Sequence, residues 1–191
     1  MLINASIDEL PFPRVACDDA VAVEQALSHL VSLGHERIGL LLGPADHVPS
    51  ERKLEAATRM IDRLGLRLPH ERVVRSSYSV ESGQAAAARL LSAGVTGIVC
   101  ASDPLALGAI RAVRRAGLDV PRDVSVVGYD DSALMNAIDP PLTTVRQPIE
   151  PMGRAAIELL VSGIRGVPAA QDELLFEPEL VVRGSTGPAA G

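Results

Sequence analysis

Two adjacent carboxylates, Asp130 and Asp131, follow the apolar, β-branched run VSVVG at 124–128. Such a run reads as a buried strand, and ligands in an open α/β sheet bind at the carboxyl ends of strands. A carboxylate there accepts hydrogen bonds from ligand hydroxyls. Asp130 is therefore a candidate for a polar small-molecule pocket, with Asp131 as the turn or cap residue beside it. A second acidic pair, Asp18 and Asp19, ends the run at 14–17. Carboxylates at a strand end can hold Mg²⁺. The strand-end lysine of phosphoryl-transfer receivers is missing, however, and helix capping accounts for both residues. His29, His35, His47 and His70 each stand alone. No G-x-S-x-G, phosphate-cradling glycine loop or H-E-x-x-H occurs. No enzyme, metal or cofactor is read here. Cys17 and Cys100 end apolar runs without a nearby His or Cys, as reduced small hydrophobes do.

These residues are carried by short β-branched runs alternating with amphipathic stretches. Residues 2–4 and 14–17 read as strands. A helix is predicted over 21–33, where Val23, Ala26, Leu27 and Leu30 fall at spacings of 3, 4 and 7 and share a face. Asp18 or Asp19 caps its start and Gly34 its end. The run RIGLLL at 37–42 is a strand, closed by Gly43 and Pro44. A helix follows over 50–64, with Ser50 as N-cap, an inner stripe of Leu54, Ala57, Ile61 and Leu64, and Gly65 as its stop. Strand 72–75, a helix from the Ser79 cap to Ala93, and strand 97–101 come next. Ser102, Asp103 and Pro104 open a helix to Ala116, with Asp103 as N-cap and Pro in the first turn, where its missing N–H costs nothing. An extended stretch at 143–146, a helix over 151–164 and strands 174–176 and 180–182 complete the pattern. Residues 187–191 read as a frayed tail. This alternation gives an α/β fold, an open parallel sheet with helices on both faces.

The chain has 191 residues, 47% of them apolar, enough for one ordinary domain or two small lobes. Aromatics make up 2% and Trp is missing, so the core must be Ala, Val, Leu and Ile. A net charge of −6 argues against gripping DNA through this surface, because that affinity comes from Lys and Arg neutralising phosphates. Lys53 is the only lysine. The N-terminal stretch lacks the basic and apolar segments of a secretion signal, and no run nears the ~20 apolar residues that cross a bilayer. A cytoplasmic protein with no membrane partner is expected.

From Val15 onward the chain resembles the effector-binding core of the LacI/GalR family of bacterial transcription regulators, a fold of the periplasmic binding protein-like I type. The resemblance rests on many short motifs in order. They are His29-Leu30 with Gly34-His35 and Arg37-Ile38-Gly39, then Gly43-Pro44, Arg52, and Ser102-Asp103 with Ala106-Leu107-Gly108. Val120-Pro121, the run DVSVVGYD at 123–130, PPLTT at 140–144, Gln147, Met152-Gly153, Pro178-Glu179-Leu180 and Arg183-Gly184-Ser185-Thr186 follow. The resemblance implies a nearly complete C-terminal lobe at 16–147 and 174–186. It makes 1–15 and 148–165 a remnant of the N-terminal lobe, with the helix-turn-helix headpiece absent. Met152, Ala156, Leu159, Leu160 and Ile164 would then face a sheet outside this chain. Exposing them costs about 1.5–3 kcal/mol each, so a partner chain or different packing is expected there.

The same resemblance implies the site. Arg52 reaches into the interlobe cleft and binds effector hydroxyls or a carboxylate, which suits a planar fork of donors. Glu55 stands where the family usually has a small Gly, and is expected to pair with Arg52 or crowd the pocket. Asp130 accepts from sugar hydroxyls and Tyr78 stacks on a sugar face. Ser102 replaces a more usual Asn, and Gln147 sits at the crossover between lobes. The dimer surface is expected from Leu107, Arg111, Met135 and Ile138, with the core as the alternative for Leu107 and Ile138.

The implied function is the sensing of a small-molecule effector, in the first instance a sugar, by part of a DNA-binding transcriptional regulator. The regulator would be a homodimer and reach operator DNA only through a headpiece not present in this chain. The alternative is the sugar-binding protein of an ABC importer, against which the missing secretion signal and unpaired cysteines count. A small α/β enzyme using Asp130 and Asp131 is the third reading.

Overall fold

Runs buried on both faces, such as IGLLL and GIVC, build the sheet that positions the site. A computed structural model describes residues 1–4, 13–166 and 172–189. In chain order the elements are β1 (Leu2–Ile3), β2 (Arg14–Cys17), α1 (Asp19–Ser32), β3 (Ile38–Leu42), α2 (Val48–Arg63), β4 (Val73–Arg75) and α3 (Val80–Ser92). Then come β5 (Gly97–Cys100), α4 (Asp103–Arg115), β6 (Ser125–Asp130), β7 (Thr143–Arg146), α5 (Ile149–Ile164), β8 (Glu173–Phe176) and β9 (Glu179–Val181). The larger sheet runs β4-β3-β5-β6-β7-β9, parallel except for the antiparallel β7–β9 edge. Helices α1 and α2 pack together, as do α3 and α4, and such layers are how a parallel sheet covers both faces. Leu27, Leu30, Leu41, Leu90, Ile98 and Leu105 are fully buried between them.

A smaller sheet, β1-β2-β8, lies beside it, all parallel. Residues 16–17 and 174–176 were expected with the larger lobe, but they pair with each other in the smaller sheet, Ala16 opposite Leu175 and Cys17 opposite Phe176. Residues 5–12, in the expected N-terminal remnant, fall outside the described residues. Helix α5 packs on β2 through buried Met152 and Ala156, while Leu160 and Ile164 are exposed, together with Ile149 and Ile157. The expectation of five unsupported side chains is thus corrected. β2 supports the first half of that face, and the apolar outer half stays uncovered. The tail is not frayed up to residue 189. Gly187 is bonded to Ser125 and His35, and the Ala189 amide donates to the Leu33 carbonyl at 2.8 Å.

Helix starts differ from the sequence expectation in ways that matter to the site. Asp18 alone caps α1, its Oδ1 accepting from the Ala20 and Val21 amides at 3.0 and 3.1 Å, which leaves Asp19 free to turn inward. Helix α2 begins at Val48 with Pro49 in its first turn, so Ser50 is not its cap. The inward face carries Ser50, Lys53, Ala57 and Ile61, while Leu54 is half-buried and Leu64 exposed. Ser102, not Asp103, caps α4, with its hydroxyl oxygen 3.4 Å from the Leu105 amide. Asp103 is instead fully buried, accepting from Thr144 Oγ1 and the Ser132 amide at 2.7 Å each. Gly128 makes room for it: a Cβ there would lie 2.5 Å from Asp103 Oδ1.

Met135, expected on a dimer surface, is 7% exposed and belongs to the core of its own chain. The short 3-10 turn at Ala133–Asn136 rotates it inward and leaves Leu134 73% exposed. Ile138 packs partly on the core, Leu107 is half-buried and Arg111 is exposed. Both cysteines are free and buried, and burial pushes their thiols up.

Candidate functional site

The order of strands reverses between β3 and β5, whose following helices α2 and α4 lie on opposite sides of the sheet. The crevice outside such a switch point is the usual binding place of an open sheet. A cleft of about 290 Å³ opens there. It is lined by all five residues expected from sequence, Arg52, Tyr78, Ser102, Asp130 and Gln147. Asn4, Asp19, Lys53 and Tyr129 also line it and were not foreseen.

Asp130 ends β6 with φ 114°, and Asp131 follows at φ 55°. Both are non-glycine residues in a region that is costly unless the surroundings enforce it. The enforcement is visible. Asp131 accepts from Arg183 Nη2 at 2.5 Å and Arg146 Nε at 2.7 Å, and the next amide is held by Asp103. Asp130 Oδ1 accepts from Gln147 Nε2 at 2.6 Å, and Gln147 Oε1 accepts from Asn4 Nδ2 at 2.7 Å. Asn4 in turn takes the Cys17 amide at 3.0 Å, so this relay crosses from the larger sheet to the smaller. Burial pushes the Asp130 carboxyl up to about 6. Asp103 and Asp19 add to the rise, while Gln147 and Lys53 oppose it.

Arg52 is engaged by Glu173 of β8, Nη1 to Oε1 at 2.8 Å and Nη2 to Oε2 at 3.3 Å. Glu55, expected to pair with Arg52 or to crowd the pocket, is exposed, lies 3.9 Å from Arg59 and does not line the cleft. Tyr78 follows β4. Its hydroxyl meets Ser50 Oγ at 3.0 Å and its ring lies 5.7 Å from that of His47. Lys53 turns beneath Arg52, ion-pairs with Asp19 Oδ1 and sits 3.9 Å from the centre of the Tyr129 ring. The Tyr129 hydroxyl donates to the same Asp19 oxygen at 3.0 Å. Burial, reinforced by Asp19, pushes that phenol up and keeps it a donor. Among the described residues, no group of three or more His, Cys, Asp or Glu is placed to hold a metal. The cleft offers hydrogen-bond donors and acceptors together with the ring of Tyr78.

Residues 27–186 match the family described as periplasmic binding protein-like domain. Over 195 residues the chain is 52% identical to the HTH-type transcriptional regulator MalR of Streptomyces coelicolor, covering 100% of this chain and 57% of MalR. It superposes on a LacI family transcriptional regulator from Mycobacterium smegmatis with TM-score 0.91 and 32% identity, over 98% of this chain and 70% of that one. This chain belongs to the LacI/GalR family. A further neighbour is the transcriptional regulator CelR in complex with cellobiose, with TM-score 0.90 and 34% identity, over 96% of this chain and 58% of that one. The chain thus spans a little over half the length of its relative MalR.

Proposed function

We propose that this chain is the effector-sensing part of a LacI-type transcriptional regulator and that its cleft binds a neutral, hydroxyl-rich small molecule, a sugar. One observation carries the reading: Arg52, Tyr78, Ser102, Asp130 and Gln147 come from separate segments and meet in a single cleft. Asp130 supplies an acceptor, Arg52 and the Ser102 hydroxyl supply donors, Gln147 fixes Asp130, and Tyr78 offers a ring face. The cellobiose held by CelR supports a sugar. Relatives that are transcription regulators favour this reading over an importer's binding protein.

In the whole regulator, effector binding would shift the population between two lobe arrangements and so couple the cleft to operator DNA, which is bound by parts outside this chain. A cytoplasmic location fits that role, and among the described residues no helix is long and apolar enough to cross a membrane. A homodimer contact is assigned to Leu107, Arg111 and Ile138, with exposed Leu134 taking the place of Met135.

Isothermal titration calorimetry with cellobiose, maltose, glucose and ribose tests the cleft. Saturable binding of at least one sugar is expected, lost in both Arg52→Ala and Asp130→Asn. A sugar bound equally well by wild type and both variants would remove the cleft assignment.

A further inference from the structure

Lys53 is the only lysine of the chain, yet it is 5% exposed and lines the cleft. A buried ammonium has three N–H donors to satisfy. One meets Asp19 Oδ1. The Tyr129 ring face, 3.9 Å away, stabilises the charge without serving as a full hydrogen-bond acceptor. Among the described residues Lys53 makes no other hydrogen bond. Asp19 is in the complementary state. Lys53 and the Tyr129 hydroxyl both bind its Oδ1, while its Oδ2 has no partner among the described residues. Asp19 is 7% exposed and lines the same cleft. A donor and an acceptor are thus fixed side by side, each with bonding capacity left over.

The pairing also sets the charge a ligand can carry. Both cations at the cleft already face carboxylates, Arg52 that of Glu173 and Lys53 that of Asp19. An anionic ligand would compete with Asp19 and lie against it. A hydroxyl can accept from Lys53 Nζ and donate to Asp19 Oδ2 at once, leaving the pair neutral overall. Resting on the sugar-sensing reading above, we propose that Lys53 and Asp19 form a hydroxyl-gripping pair in the cleft floor that selects a neutral sugar over an acidic or phosphorylated one.

A single lysine makes the test direct. Protein carrying ¹³Cε-lysine gives one side-chain signal, and the backbone amides of Ser102 and Asp130 report cleft occupancy independently. The sugar among cellobiose, maltose, glucose and ribose that moves those amides is expected to move the Lys53 signal too, and glucose 6-phosphate and gluconate are expected to move neither. A sugar that moves the amides and leaves Lys53 unchanged overturns the pair and leaves sugar sensing standing. Failure of every sugar to move any amide takes down both. A stronger response to glucose 6-phosphate than to glucose overturns the selectivity. Lys53→Met alone strands a buried carboxylate, so the companion variant is Lys53→Met/Asp19→Asn, neutral and of similar volume. It is expected to keep a cooperative thermal transition while binding sugar about tenfold more weakly, the loss of one charge-assisted hydrogen bond. Full affinity in that variant counts against the pair.

Discussion

Arg52 of α2 and Glu173 of β8 meet fork to fork, at 2.8 and 3.3 Å, and so tie the larger sheet's helix to the smaller sheet at the mouth of the cleft. Arg14 Nε stands 4.0 Å from the same carboxylate. The side chains are 30% and 22% exposed, so solvent screening leaves the pair worth about 1 kcal/mol or less to stability. Its larger role is orientation. A guanidinium already held in place does not have to be ordered again by the ligand. Glu173→Gln is expected to leave the urea midpoint nearly unchanged and to raise the sugar Kd about 3–10-fold, the cost of re-ordering one long side chain. Tighter binding in Glu173→Gln would show instead that Glu173 competes with the ligand for Arg52.

Asp130 makes stability depend on pH. Its carboxyl is raised from 3.8 to about 6 by burial, against the pull of Gln147 and Lys53. A carboxyl raised by folding favours the native state while protonated. The contribution is fully present below pH 3.8 and disappears as pH rises through about 6. It amounts to on the order of 2 kcal/mol once residual solvent contact is allowed for. Asp130→Asn removes this dependence and tolerates the positive φ. Urea titrations should therefore show the variant gaining on wild type between pH 4 and 7. Parallel stability profiles over that range would contradict the burial argument. Sugar binding that uses the ionised acceptor should strengthen over the same interval in wild type only.

The strand–helix alternation and the places of Asp130 and Ser102 are legible in the sequence because apolar runs and their ends are local signals. Lys53 is not. A lysine followed by Leu54 and Glu55 reads as a solvated helix residue, and its burial depends on Asp19, 34 residues away, and on Tyr129. Pro49 does carry a usable signal, since proline favours a first helical turn, and it would have moved Ser50 from the cap into the helix. The pairing of β8 has none: a four-residue extended run does not state which sheet it joins. Met135, expected at the surface, turns inward because a single 3-10 turn has no periodicity to read.

Gly43 and Tyr78 form a steric lock. A Cβ on Gly43 would lie 2.0 Å from the Tyr78 hydroxyl and 2.7 Å from Ser50 Oγ, so Gly43→Ala must expel the ring from its seat. Gly43→Ala and Tyr78→Ala should each weaken sugar binding by a similar factor, and the double variant should be little worse than either. A double-mutant cycle measures this, and residues sharing one contact are expected to be non-additive by 0.5 kcal/mol or more, roughly. Additive losses would place Tyr78 outside the binding contact.

Asp131 works as the anchor of the Asp130 turn. Burial alone would raise its carboxyl, but the hydrogen bonds from Arg183 and Arg146 prevail and hold it below 3.8. A lowered carboxyl contributes stability above pH 3.8 and loses it as pH falls through the folded value. Asp131→Asn keeps the tolerance of positive φ but leaves Arg183 without its counter-charge, at a cost of about 2 kcal/mol. Urea unfolding at pH 7 should show that loss, and it should shrink below pH 4, where wild type loses the same interaction. Faster amide exchange at Ser132, whose N–H donates to Asp103, would mark the loosened turn.

Leu134 and its neighbour Met135 separate association from folding. Leu134 is 73% exposed and Met135 is 7% exposed, so the first is available to the proposed homodimer contact and the second packs in its own core. A twofold contact uses each leucine twice, and burying a leucine removes about 1.5–3 kcal/mol of apolar exposure per copy. Leu134→Glu should shift sedimentation from dimer to monomer and leave the urea midpoint alone. Met135→Ala should cost about 2–5 kcal/mol of stability, as large-to-small core changes do, and leave association intact. A wild-type chain that sediments as a monomer at micromolar concentration would sink the assigned contact, because the exposed leucine would then have no copy of this chain to cover it.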